Sequence, residues 1–114
     1  MIILNSGRKL QIVLSGAITT NTLHITVGYT DKRVADDGLY GGYGSQNSVS
    51  NNTTDVDICD APKSGEIRVI DTIHIYNRDT ASATVTVKSD ESGTEFILVK
   101  TTLATGDTLT YEDG

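Results

Sequence analysis

Val69-Ile70-Asp71-Thr72-Ile73-His74-Ile75-Tyr76 runs into Asn77-Arg78-Asp79-Thr80, and Ala83-Thr84-Val85-Thr86-Val87-Lys88 follows. The first run is β-branched and apolar, the second is a turn by composition, and the third alternates apolar with Thr. Ser89 to Gly93 makes another turn. Thr94-Glu95-Phe96-Ile97-Leu98-Val99-Lys100 and Leu103 to Tyr111 complete the pattern. Short β-rich runs separated by Asn, Asp, Gly and Ser predict an antiparallel all-β domain. Ile67 to Tyr76 is apolar on both sides: Ile67, Val69, Ile73 and Ile75 fall on one face, Ile70 and Tyr76 on the other. A segment apolar on both faces reads as a central strand.

Working outward, Leu23, Ile25, Val27 and Tyr29 alternate with His24, Thr26 and Gly28, so one face is expected to be buried. Leu10, Ile12 and Leu14 share a face, and Val56 and Ile58 alternate with Asp55 and Asp57. Ser15 to Thr22 is a connection. Asp60 to Gly65 is a turn that holds the lone Pro62. Asp31 to Asn52 reads as the longest irregular stretch. Within it, residues 31–50 are expected to form a flexible Gly/Tyr loop in which Tyr40 and Tyr43 offer adhesive area. Met1-Ile2-Ile3-Leu4 is apolar and precedes the turn Asn5-Ser6-Gly7. It is expected to be an edge strand or an arm against a neighbouring subunit. No stretch sustains a helical period. The expected fold is therefore one antiparallel β-sandwich over residues 1–114, jelly-roll-like, with about seven or eight strands.

The chain has 114 residues, enough for a single domain that buries roughly two-thirds of its unfolded surface. One cysteine, Cys59, excludes an intrachain disulfide and fits synthesis in a cytoplasm. No charged segment followed by an apolar one opens the chain, so no signal peptide is expected. No apolar run is long enough to cross a bilayer as a helix. The net charge of −6 argues against nucleic-acid binding, because phosphate neutralisation supplies most of that affinity. Acidity here favours solubility.

Candidate chemistry is sparse. Cys59 follows Ile58 on a strand, not at a helix N-terminus that would stabilise a thiolate. His24 and His74 each sit in alternating strands and read as structural histidines. No three or four ligands fall at zinc spacing. Asp55, Asp57 and Asp60 resemble a calcium cluster, but the glycine and terminal glutamate of an EF-hand are missing, and a solvated strand face is the simpler reading. The glycines of Gly38 to Gly44 lack the Lys-Ser/Thr ending of a phosphate loop. No catalytic residue, cofactor or metal is expected.

Three segments carry a resemblance. The first is Lys9 to Asn21. The second is Asn51 to Ile58 with Ala61-Pro62. The third is Arg68-Val69-Ile70, Ile75 to Ala81, Val85-Thr86-Val87, Leu103-Ala104 and Gly106 to Leu109. Together they resemble small β-rich structural proteins of tailed bacteriophages, within them the capsid decoration, or cement, proteins. The resemblance implies a free-standing, non-enzymatic virion protein, made in the host cytoplasm. It would bind the outer capsid surface and staple neighbouring major capsid subunits, as a homo-oligomer on the lattice, with Met1, Ile2, Ile3, Leu4, Tyr40 and Tyr43 as contact residues. It implies no nucleic-acid or membrane partner. The alternative is a carbohydrate-binding host-recognition module of a tail or fibre.

Overall fold

The structure, a computed structural model, describes residues 1–35 and 39–113, and of Leu39 and Tyr40 the backbone alone. It is an all-β sandwich of two antiparallel sheets. The described strands are β1 (Ile2–Leu4), β2 (Arg8–Leu14), β3 (His24–Arg33), β4 (Leu39–Val49), β5 (Val56–Cys59), β6 (Glu66–Tyr76), β7 (Ala83–Glu91), β8 (Thr94–Leu103) and β9 (Thr108–Glu112). One sheet runs β1-β6-β3-β4, with β9 also on β6; the other runs β5-β2-β7-β8. Leu10, Ile12, Leu14, Ile58, Val85 and Val87 from the second sheet meet Leu4, Ile25, Val27, Ile70, Ile73 and Ile75 from the first. Period-two alternation thus delivers one apolar face per strand to a shared core.

β6 is central in its sheet, but its faces differ from the simple alternation. Gly28 pairs with Thr72 and Tyr29 with Ile70, which leaves Asp71 as an extra residue. A bulge of this kind shifts the phase of the pleat by one position. Ile70 therefore joins Ile73 and Ile75 on the core face, and Ile67 and Val69 move to the outer face. Ile70 is fully buried.

The stretch expected to be an irregular loop forms most of a long hairpin. β4 pairs with β3 from Val49 opposite His24 to Leu39 opposite Arg33. The glycines there serve close approach rather than flexibility. A Cβ at Gly44 would stand 2.5 Å from the Tyr29 ring, and one at Gly41 would stand 2.9 Å from the Asp31 carbonyl oxygen. Gly42, with φ of +133°, sits at the register shift between Asp31 and Lys32. This hairpin accounts for the ninth strand, one more than the expected count.

Met1 to Leu4 includes an edge strand, β1, paired antiparallel with β6: Ile2 opposite Ile70, Ile3 opposite Val69, Leu4 opposite Arg68. Leu4 is fully buried and Ile2 packs on the core, so these two side chains belong to the chain's own interior rather than to an arm.

Candidate functional site

The bulge in β6 assembles a surface that no single segment contains. On the outer face of the five-stranded sheet, Ile3 lies opposite Val69, Val69 opposite Thr30, and Thr30 opposite Tyr43. This row crosses four strands from the N-terminus to β4. Ile67, opposite Lys32, continues the face one step along, and Met1 closes the near end. Together they line a shallow depression of about 670 Å³. Met1 is 79% exposed and Tyr43 82%, whereas Val69 at its floor is 7% exposed. Polar groups rim the depression. The Thr30 hydroxyl donates to Asp71 Oδ2 at 2.7 Å, and the N-terminal ammonium lies 3.8 Å from Asp113 Oδ1.

The β3–β4 hairpin that carries Tyr43 is braced from its inner side. The Arg68 guanidinium donates to Asp31 Oδ1 and Oδ2 at 2.8 and 3.0 Å, and to the Asp60 carbonyl at 2.8 Å. It also stacks 3.8 Å over the Tyr29 ring, which in turn fills the space beside Gly44. Hydrogen bonding to Asp31 holds Arg68 firmly in its charged form, against the opposing effect of burial. Tyr43, next to Gly44, therefore projects from a rigid support.

The sequence-derived contact residues divide accordingly. Met1, Ile3 and Tyr43 meet on one face. Ile2 and Leu4 face the core. The side chain of Tyr40 lies outside the described residues. Ile67, Val69 and Thr30 join the site only through cross-strand register. The apolar run Met1 to Leu4 and the tyrosine among glycines, Tyr43, were its signals in the sequence.

Farther along the same face, His24 lies opposite Tyr76 and Val49, and His74 opposite Thr26, which itself faces Asn47. Both histidines are exposed, so neither is a buried structural histidine. Cys59 is fully buried, and burial pushes its thiol up despite the neighbouring Arg68. Asp55 and Asp57 each have a lysine: Lys88 Nζ is 2.8 Å from Asp55 and 2.6 Å from Glu95, and Lys9 Nζ is 3.1 Å from Asp57. Burial alone would raise the Asp57 carboxyl, but hydrogen bonds from Gln11 and Lys9 bring it below its usual range. Among the described residues no group of three or more His, Cys, Asp or Glu is placed to hold a metal ion. No family model, curated protein or solved structure matches the chain. The outer face combines an apolar floor, one tyrosine at its rim and a few fixed hydrogen-bonding groups.

Proposed function

We propose that this chain is a non-enzymatic structural protein of a virion, which binds the outer surface of a phage capsid and staples neighbouring major capsid subunits. The observation that carries the reading is the Ile3–Val69–Thr30–Tyr43 row, a broad shallow contact face on a braced sheet. A staple works through many such contacts repeated over a lattice, so modest affinity per site suffices. Apolar area with one projecting tyrosine suits a protein surface, where aromatic anchors dominate the binding energy.

Immunogold labelling of virions from cells carrying the gene tests it. Gold on heads, lost with the Ile3→Asp, Tyr43→Ala double variant, is the expected result. Virions that carry none of the protein would sink the proposal. Gold on tails would favour the second reading, a host-recognition module for carbohydrate. That alternative rests on the other half of the outer face, where Tyr76, 44% exposed, shares a row with His24, and His74, Thr26 and Asn47 form the next row. A ring beside several hydrogen-bonding side chains suits a sugar.

A further inference from the structure

On one side the two sheets do not close. β8 hydrogen-bonds to β7, and β9 to β6, and each leaves its other edge without a strand among the described residues. Between these edges lies a cavity of about 300 Å³, lined by Ile73, Val87, Leu98, Val99, Leu109 and Tyr111. Its walls are apolar. The hydroxyl of Tyr111, one of the lining residues, is itself buried and has no hydrogen-bond partner among the described residues. Four consecutive apolar side chains of β8 stand out beside it: Phe96, Ile97, Leu98 and Val99 are 52, 68, 45 and 39% exposed. A register shift in β8 makes Leu98 an extra residue, and Leu98 is one of the cavity walls. On the opposite side of the sandwich β4 meets β5, and the Gln46 side chain accepts a hydrogen bond from the Asp60 amide.

Each of these features is costly in isolation. A long apolar strand edge invites pairing. An unpartnered buried hydroxyl forfeits the hydrogen bonds it makes with water in the unfolded chain. An apolar void forfeits packing contacts. One kind of occupant removes the first and the last of these costs. An extended peptide supplies backbone N–H and C=O groups for the edge of β8 and an apolar side chain for the cavity. A lipid chain would fill the void and leave the edge unpaired. We propose that the open seam between β8 and β9 is an acceptor site for an extended apolar segment of a partner protein, added as a further strand on β8. The net charge of −6 favours a segment with basic flanks. This inference stands apart from the outer-face site and does not rest on the capsid reading.

The test is selection of a displayed random-peptide library on the full chain, followed by titration of the enriched peptides. Peptides of alternating apolar character with Lys or Arg flanks are expected, and their amide shifts should concentrate on residues 94–99. Val99→Phe, which fills the cavity from within, should weaken them by about tenfold or more. Leu109→Phe, from the opposite wall, keeps the test open should Val99→Phe not fold. Tyr111→Phe separates binding from mere structure: it removes a buried unsatisfied group, so it should raise the Tm of the free chain while leaving the affinity for the peptides unchanged. Tyr43→Ala, on the outer face, should leave them unchanged. No enrichment, or peptides indifferent to the cavity variants, would overturn the inference. So would a solution dimer that Val99→Phe breaks, since the occupant would then be a second copy.

Discussion

Asp79 shows how one polar side chain can organise a connection. It is 2% exposed and accepts hydrogen bonds from the amides of Thr19, Thr20 and Asn21 at 2.7 to 3.0 Å, and from Thr80 at 2.8 Å. The Thr19 amide, then those of Asn21, Thr20 and Thr80, lower its carboxyl to about 2. An unfolded aspartate titrates near ~3.9. The folded value is the depressed one, so this stabilisation is complete above the unfolded value and is lost as pH falls through about 2. Asp79→Asn should therefore lower the Tm at pH 7 by several degrees and close the gap to wild type towards pH 2; thermal melts across pH check this. Asn77 beside it is fully buried, donates to the carbonyls of Ala81 and Leu103, and accepts from the Asp79 amide. Asn52, at φ of 52°, accepts from the Ile18 amide through its side chain. Segments distant in the chain thus meet around residues 18–21, held by side chains that anchor the backbone.

At the scale of the element, the bulge in β6 and the glycines of β4 decide what faces where. Asp71 is the residue that lets Ile70 and Ile73 share the core. Deleting Asp71 should force one half of β6 to present its outer face inward. A chain that neither disperses its amide resonances nor melts cooperatively is the expected outcome, whereas a wild-type melt would refute the bulge's role. Gly44→Ala places a methyl 2.5 Å from the Tyr29 ring, an overpacking that should cost about 1–3 kcal/mol in denaturant titration. β1 is short, yet Leu4 is fully buried, so Leu4→Ala should cost about 2–5 kcal/mol. Removing Met1 to Leu4 therefore lowers the stability of the monomer itself. Ile3→Asp is the cleaner probe of binding, because Ile3 faces outward.

For the whole molecule, the hairpins β3–β4 and β7–β8 are joined by strands distant in the chain. β1 pairs with β6, β2 with β7, and β6 with β9. Such pairings require large loops to close before any contact rewards them, so refolding in milliseconds to seconds, rather than microseconds, is expected by stopped flow. The buried residues form one cluster shared by both sheets, which predicts a single calorimetric transition. The same topology leaves the two proposed contact surfaces on different sides: the outer face of one sheet and the seam where both sheets end.

The all-β class and the strand positions of β2, β3 and β5 to β9 were legible in the sequence, whereas the run Met1 to Leu4 did not show that Ile3 faces out and Leu4 in. Alternation with period two and turn residues at the ends are local properties, and local properties survive without neighbours. Tertiary structure decided the rest. Gly41 and Gly44 read as flexible until Asp31 and Tyr29 lie against them. Val69 and Ile67 read as core until Asp71 bulges out of register with β3. Tyr111 reads as an ordinary strand residue until its hydroxyl is buried without a partner beside the open seam. Each depends on which strand lies opposite and in what register. That is set by packing two whole sheets together, a condition that no short window of residues contains.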